Sequence, residues 1–262
     1  MTRLNSQQKE KVNQFRSITG SSDKIATQCL SAGNWVVEAG IEVFFSSGLS
    51  SGVAATPALP SANARSLEAL YQRYKDPHGD LILAEGVSKF CEDLRVDPSD
   101  VIMLVISWHF NAAVMCEYSR QEFVWGMSSL RCDSVEQLRR ILPRLRAELQ
   151  DATKFKEIYN FAYLWSREKG QKCVQLCEAT GMWRLLFAAQ PWPLCEAWCA
   201  FLEKHHGRAI SRDTWVQLLD FVRTIKPDLS NWEDNSMSAW PYLLDEFVEH
   251  QRAQRNASAA SA

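Results

Sequence analysis

The sequence predicts an all-α protein. Nearly every ordered stretch carries apolar residues at helical spacing, such as Leu67, Leu70, Tyr71 and Tyr74, and no stretch alternates polar and apolar residues as a strand would. The 262 residues are 46% hydrophobic and 23% charged, which is ordinary for a globular protein and excludes a disordered or fibrous chain. Pro143 is expected to kink or restart the helix that carries it.

A change in composition divides the chain. From Ser46 to Ala64 there is no charged residue, and serine, glycine, alanine and proline dominate, as is typical of a flexible linker. We therefore predict a three-helix domain over residues 1–46, a flexible linker over 47–64, a larger helical domain over 65–250 and a disordered tail over 251–262.

The net charge of −2 argues against nucleic acid as a partner, because nucleic-acid binding needs a basic surface. No apolar run reaches the length of a membrane span, and the N-terminus lacks the apolar segment of a signal peptide. The eight cysteines lie mostly in apolar-periodic stretches and are interpreted as buried thiols in a reducing compartment. We expect an intracellular protein of the cytoplasm and nucleus.

The first 46 residues are expected to form three short helices, over residues 7–18, 23–30 and 35–45. This segment resembles a ubiquitin-associated (UBA) domain, on the evidence of Ile18, Gly20, Leu30, Trp35, Glu38, Ala39 and the pair Phe44-Phe45. The resemblance implies a patch that contacts ubiquitin or a related protein, formed by Ile18, Thr19, Gly20, Phe44 and Phe45. The alternative is that these apolar residues form only the core of the domain.

Two twelve-residue segments, Asp76–Val87 and Asn111–Glu122, have the length of EF-hand calcium loops. Too few oxygen ligands remain in either for an ion, but both keep an apolar residue at position 8, Leu83 and Tyr118, where paired EF-hands bridge. We therefore expect EF-hand-like helix pairs without a metal.

Two further hypotheses are a zinc site and an enzyme with a cysteine nucleophile. Cys173/Cys177 and Cys195/Cys199 are each four residues apart, and His205 and His206 follow. These segments lack the turn residues of zinc knuckles, so buried core cysteines are favoured. No nucleophile lies in a recognisable strained turn, and no glycine-rich phosphate loop is present. We predict no cofactor, no metal and no catalytic residue.

The C-terminal part of the chain is acidic. Between Asp213 and His250 there are eight acidic and two basic residues. Helical spacing directs Asp245, Glu246 and Glu249 towards water, where they suit a basic protein surface. A solvated helix face without a partner is the alternative interpretation.

Several longer motifs carry a family resemblance. The runs RDTWVQLLDF (212–221) and AWPYLLDEFV (239–248), with YQRYKDP (71–77), EYSRQEF (117–123) and FKEIYNFA (155–162), closely resemble the defective-in-cullin-neddylation family, and look more like its plant members than its animal members. The match runs from about Leu4 to Glu249. It implies an N-terminal UBA domain joined to an all-α potentiating-neddylation domain.

The resemblance implies a scaffold-type co-ligase, not an enzyme. Such a protein promotes transfer of a ubiquitin-like modifier from its conjugating enzyme to a cullin lysine. Asp213, Ala239 and Asp245 correspond to the family's patch for the basic winged-helix region of the cullin. The expected pocket for the acetylated N-terminus of the conjugating enzyme is formed by Val87, Ile106, Phe110, Cys116, Tyr118, Trp165 and Leu185.

Three departures from the family affect these sites. The segment from Asn231 to Ser238 is longer than usual and lacks the glycine before Ala239, and Ala84 and Ser107 replace bulkier or more apolar residues. The competing hypotheses are a metal-regulated EF-hand-like adaptor, a cysteine hydrolase that uses Cys116, and a ubiquitin-binding interaction protein without neddylation activity.

Overall fold

The computed structural model describes residues 8–9, 11–12, 15–16, 23–33, 35–37, 61–232 and 240–260. The chain divides into two units, one ending at Ser61 and the other beginning at Ala62. Within the described ranges, no helix combines the length and the apolarity that crossing a membrane requires.

The first unit is built around helix α1, Asp23–Ala32. The described residues of its core are all apolar and include members of all three predicted helices: Val12, Phe15, Ala26, Cys29, Leu30 and Val37. Lys11 Nζ donates a hydrogen bond of 2.7 Å to the carbonyl oxygen of Trp35. This bond links the first predicted helix to the start of the third.

The second unit is almost entirely helical. Its α-helices are α2 (Ser61–Tyr74), α3 (Ala84–Leu94), α4 (Val101–Phe110), α5 (Arg120–Ser129), α6 (Val135–Ala147), α7 (Ala152–Trp165), α8 (Leu176–Ala189), α9 (Cys195–Phe201), α10 (Arg212–Thr224) and α11 (Tyr242–Ala260). A 3-10 turn, Glu148–Gln150, follows α6, and a π-helical turn, Leu202–His206, follows α9. One continuous hydrophobic core joins these helices. The all-α prediction is confirmed.

The described residues include one two-stranded antiparallel sheet, between β1 (Leu81–Ile82) and β2 (Tyr118–Ser119). It joins the loop between α2 and α3 to the loop between α4 and α5, as in paired EF-hands. The prediction that Leu83 bridges the two loops is wrong, since Ile82 pairs with Tyr118. Ile82 is fully buried whereas Leu83 is 39% exposed, so burial selects the register one residue earlier.

Helix bounds differ from the sequence-based expectation at three points. Helix α2 begins at Ser61, within the predicted linker. Helix α11 continues to Ala260, through most of the predicted disordered tail. Arg255 explains this extension in part, because its guanidinium donates to the carbonyl oxygens of Pro227 and Asp228. Helix α6 runs through Pro143 to Ala147, so the helix does not restart there, and the predicted kink at Pro143 stays a prediction.

Gly126 allows α5 to approach the end of α4 closely. A Cβ atom at this position would lie 2.0 Å from Cδ1 of Phe110, which is fully buried. We expect Gly126→Ala to lower the free energy of unfolding by about 2 kcal/mol, because the core has no room for the added methyl group. Urea denaturation monitored by circular dichroism measures the change.

Gly181→Ala is the matched control, since Gly181 lies within α8 and an added Cβ would meet no atom within 4 Å. This variant should be more stable than the wild type by about 0.5–1 kcal/mol, because alanine restricts the unfolded chain more than glycine does. Equal destabilisation by both substitutions would contradict the role given to Gly126.

Candidate functional site

Helix α10, which carries Asp213, is held in place by a reciprocal pair of hydrogen bonds with α7. The indole Nε1 of Trp215 donates to the carbonyl oxygen of Tyr159 at 2.9 Å. The Tyr159 hydroxyl in turn donates to the carbonyl oxygen of Trp215 at 2.8 Å and accepts from Nε1 of Trp183 at 2.9 Å. Burial raises the pKa of Tyr159 well above its ordinary value, so the hydroxyl stays a donor.

Asp213 lies in the first turn of α10 and is exposed. Ser211 caps the helix by accepting from the backbone N–H of Thr214, and Gln217 Nε2 donates to Oδ1 of Asp213 at 2.9 Å. A carboxylate at a helix N-terminus interacts favourably with the helix dipole. Asp213 is thus oriented by its own helix and presents a negative charge to solvent.

The second group of acids lies on α11. Leu244, Phe247 and Val248 face the core, which leaves Asp245 half-buried and Glu249 exposed. Burial, and then the neighbouring charge of Glu249, raise the pKa of Asp245. None of the acids on this face forms an ion pair with a described residue. A cation from a partner would therefore relieve an unfavourable concentration of charge.

Tyr242 was not expected at this surface. It is 74% exposed, and the charge of Glu246, together with a hydrogen bond to that carboxylate, raises the pKa of Tyr242. Its place in the AWPYLLDEF motif, three residues before Asp245, was the signal that could have identified it. Tyr242 adds an aromatic hydroxyl to the acidic face of α11.

The longer segment after α10 is anchored at both ends. Trp232 and Trp240 pack on the ring of Phe221, with ring centroids 5.6 Å and 6.0 Å away. The carbonyl oxygen of Trp232 also accepts a hydrogen bond from Arg252. Ala239, the third predicted cullin-binding residue, lies outside the described residues. No hydrogen bond or ion pair between described residues joins Asp213 to Asp245, so the three-residue patch stays a prediction.

The seven residues of the predicted pocket come from six places in the second unit. Val87 lies on α3, Ile106 and Phe110 on α4, Tyr118 on β2, and Trp165 at the end of α7; all five are buried in the common core. Leu185 on α8 is partly buried against that core, and Cys116, in the loop before β2, is exposed. Phe110 and Tyr118 are in direct contact, with ring centroids 5.3 Å apart.

Ser107 is adapted to Tyr118. Both side chains are buried, and their hydroxyl groups form a hydrogen bond of 2.8 Å. The polar residue that departs from the family pattern therefore satisfies a tyrosine hydroxyl that would otherwise be buried without a partner. No pattern in the sequence predicted this pairing.

The surroundings of Cys116 favour the neutral thiol over the reactive thiolate. Local burial, and then the charge of Glu178, raise its pKa. A catalytic cysteine needs a lowered pKa, because the thiolate is the nucleophile. The backbone of Cys116 is left-handed, with φ of 62°, so this cysteine does lie in a strained turn, contrary to the sequence-based expectation. The raised pKa of its thiol, however, gives no support to a hydrolase that uses Cys116.

The two calcium-like loops use their polar groups internally. Lys75 Nζ donates to the carbonyl oxygens of Asp76 and Gly79 in the first loop. In the second loop, the two carboxylate oxygens of Glu122 accept from the backbone N–H groups of Ala113 and Ser119. Among the described residues, no group of three or more His, Cys, Asp or Glu side chains is arranged to hold a metal ion.

The five residues of the predicted ubiquitin-binding patch, Ile18, Thr19, Gly20, Phe44 and Phe45, lie outside the described residues. Val36, next to the buried Val37, is exposed. The structure therefore describes the core of the first unit and leaves its candidate binding surface as a prediction.

Comparison with known proteins identifies two domains. Residues 137–250 match a family model described as cullin binding, and residues 9–51 match a UBA-like domain. The first match includes both Asp213 and Asp245, and the second confirms the UBA-like interpretation of the N-terminal unit.

Several proteins called DCN1-like align with most of this chain. DCN1-like protein 4 of Danio rerio is 46% identical over 170 residues, which are 65% of this chain and 60% of that protein. DCN1-like protein 3 of Bos taurus is 38% identical over 205 residues, or 75% of this chain and 67% of that protein. DCN1-like protein 4 of Homo sapiens is 44% identical over 170 residues, or 65% and 57%. The alignment thus spans about 60% of the length of two of these relatives.

Tyr159→Phe tests the anchor of α10. The substitution leaves the buried Nε1 of Trp183 and one carbonyl oxygen without their partner, so we expect the free energy of unfolding to fall by about 2 kcal/mol. Tyr242→Phe removes the same hydroxyl from an exposed ring and should change stability by less than about 0.5 kcal/mol. Chemical denaturation of both variants measures the free energies of unfolding. A similar loss of stability in both would contradict the role of Tyr159 in holding α10.

Asp245→Asn should raise stability at neutral pH by about 0.2–0.5 kcal/mol, because it removes a repulsion between carboxylates four residues apart. The folded state of the wild type binds a proton more readily at Asp245 than the unfolded state does. Protonation of Asp245 therefore raises the free energy of unfolding of the wild type as the pH falls through the raised pKa of this carboxyl group. The Asn variant lacks this increase. Urea denaturation at neutral and acidic pH measures both effects.

Asp213→Asn is the control with the opposite sign. It removes a carboxylate that favours the N-terminus of α10, so we expect a loss of about 0.3–1 kcal/mol at neutral pH. A loss of stability in both variants would show that the charge of Asp245 is compensated in the folded protein.

Proposed function

This chain belongs to the DCN1-like family of cullin-binding proteins, and we propose that it is a scaffold-type co-ligase for cullin neddylation. In this role it promotes transfer of a ubiquitin-like modifier from a conjugating enzyme to a cullin lysine. The observation that carries the proposal is the cullin-binding match over residues 137–250, which includes the unpaired carboxylates of α10 and α11.

The cullin contact is assigned to the acidic surface of Asp213, Ala239 and Asp245. Asp213 is exposed and oriented by Gln217, and the raised pKa of Asp245 means that its charge is poorly compensated by this chain. A lysine or arginine on the winged-helix region of a cullin would lower that pKa and stabilise the carboxylate. Charge complementarity of this kind favours both the rate and the orientation of association.

The acetylated N-terminus of the conjugating enzyme is assigned to the pocket region around Tyr118, with Val87, Ile106, Phe110, Cys116, Trp165 and Leu185 as its other residues. An apolar site of this kind accepts a neutral acetylated amine better than a free ammonium group, because burying an unpaired charge is costly. The Nε1 of Trp165 is buried without a hydrogen-bond partner among the described residues, and an acceptor from a bound chain would satisfy it.

The proposed mechanism requires no reactive group on this chain. Binding the cullin and the charged conjugating enzyme together makes their encounter effectively intramolecular and orients the acceptor lysine. Thioester chemistry then belongs to the conjugating enzyme, in agreement with the raised pKa of the Cys116 thiol. The protein is thus proposed to be non-catalytic.

The UBA-like unit is proposed to contact ubiquitin or a related protein through Ile18, Thr19, Gly20, Phe44 and Phe45. A cytoplasmic and nuclear location is proposed with it, since reducing compartments maintain thiols and the eight cysteines are unpaired. The acidic side chains of α10 and α11 and the family match both favour the co-ligase function over an EF-hand-like adaptor.

Single-turnover transfer of the modifier to a cullin C-terminal domain tests the function. We expect the wild-type protein to accelerate transfer, and Asp245→Ala to reduce the acceleration by about tenfold or more through loss of the cullin contact. Using a conjugating enzyme without its N-terminal acetyl group should reduce it similarly. Quantification of the modified cullin on denaturing gels gives the rates.

Asp80→Ala is the matched control, because Asp80 is a fully exposed acid in the first calcium-like loop, with only a 3.8 Å approach to Lys75. This variant should accelerate transfer as the wild type does. Acceleration that survives Asp245→Ala would exclude Asp245 from the cullin contact. Absence of any acceleration with acetylated enzyme would contradict the co-ligase function itself.

A further inference from the structure

A groove beside α6 carries three arginines that form no ion pair with any acid in the described part of the chain. It has a volume of about 450 Å³, and its lining includes Ser129, Arg131, Gln137, Arg140, Ile141 and Arg144. We call this surface the arginine groove. It contains none of the residues assigned to the cullin or the conjugating enzyme.

The lack of partners distinguishes these arginines from Arg139 and Arg146 on α6. Arg146 forms an ion pair of 2.6 Å with Asp100, and Arg139 donates to the carbonyl oxygen of Asp93. The guanidinium groups of Arg131, Arg140 and Arg144 form no hydrogen bond or ion pair with any described residue, and all three side chains are exposed. Their positive charge is available to a partner.

The positions of the three arginines carry a cost in the isolated protein. Arg140 and Arg144 are one helical turn apart on α6, where like charges repel, and an acid lies one turn beyond each of them, Glu136 before Arg140 and Glu148 after Arg144. Arg131 adopts a left-handed backbone, with φ of 57°, directly after α5. A non-glycine residue in that conformation is disfavoured by about 1–2 kcal/mol. A bound anionic group would compensate the charge repulsion.

An exposed tryptophan lies one helical turn from the arginine groove. Trp125 on α5 is 57% exposed, and it lies four residues before Ser129, which lines the groove. Residues four apart are neighbours on one helix face. Tryptophan and arginine are the residue types that most often dominate protein–protein interfaces. The combined surface therefore has an aromatic anchor beside a short basic stretch.

We propose that the arginine groove and Trp125 form a docking site for a short acidic segment of a partner polypeptide. Carboxylates of that segment would pair with the three guanidinium groups, and one apolar side chain would pack on Trp125. This surface is distinct from the acidic surface of α10 and α11 and selects partners of the opposite charge.

A polypeptide fits better than nucleic acid because the basic stretch is short and the grooves on either side of it also contain acids. Asp133 and Glu136 line the adjoining groove on one side, together with Arg73 and Arg139. On the other side, the groove that shares Arg144 is lined by Glu148 and Asp151, together with Lys154. A continuous phosphate backbone carries closely spaced negative charges and would meet these carboxylates. A short run of acidic side chains avoids that repulsion.

Fluorescence anisotropy of a labelled peptide tests the proposal with the full chain. The probe is a fluorescein-labelled peptide of Asp and Glu residues with one central Leu, and a second peptide replaces the acids with Asn and Gln. We expect the acidic peptide alone to bind, with weaker binding at higher salt. Arg140→Glu combined with Arg144→Glu should raise Kd at least about tenfold, and Trp125→Ala at least about threefold.

Two controls match these changes away from the groove. Arg95→Glu combined with Arg208→Glu makes the same change in charge at exposed arginines that line none of the three grooves, and Arg95 shares the left-handed backbone of Arg131. Leu164→Ala removes a different exposed apolar side chain. Both control variants should leave Kd within about twofold of the wild-type value, since none of the three substituted side chains lines the arginine groove.

The proposal is overturned if the acidic peptide does not bind, if the control pair weakens binding as much as the groove pair, or if labelled single-stranded DNA binds more tightly than the peptide. Circular dichroism and thermal melting check that each variant is folded. If the charge-reversed groove pair does not fold, Arg140→Gln combined with Arg144→Gln replaces it, with the same expected direction.

Discussion

The reciprocal hydrogen bonds between Tyr159 and Trp215 are the interaction on which the C-terminal half of the helical domain depends. Each residue donates to the backbone carbonyl of the other, which fixes α10 against α7 both in rotation and along its axis. Trp183 stacks on Trp215 at 4.9 Å and bonds to the same tyrosine hydroxyl. The polar groups of three large aromatic residues are thus satisfied within the core, as buried groups must be.

This aromatic layer also positions the last helix. Trp183 contacts Trp198 on α9, and Trp198 contacts Phe247 on α11, with ring centroids 5.8 Å and 5.1 Å apart. The acidic residues on α10 and α11 therefore rest on a common rigid base, although they are distant in sequence. A surface that recognises a partner needs such support, because its side chains must keep their positions without the partner.

Helical periodicity and the family motifs were sufficient to predict the class of fold, the UBA-like unit and the cullin-binding domain. The register of the small sheet was not predictable from the loop pattern, because the burial of Ile82 decides it. The extent of α11 depends on contacts of Arg255 with a distant loop. The arginine groove was hidden because its members come from α6 and from the turn after α5, and their charges cancel in the total.

The ammonium group of Lys75 has a consequence for how the EF-hand-like pair responds to its surroundings. It binds the carbonyl oxygens of Asp76 and Gly79 and approaches Asp80, which stands at position 5 of the EF-hand pattern. A covalently attached cation therefore lies beside an acid of the kind that binds calcium in a sensor. Because a tethered charge neither dissociates nor follows an ionic signal, this part of the loop keeps its cation whatever the calcium concentration.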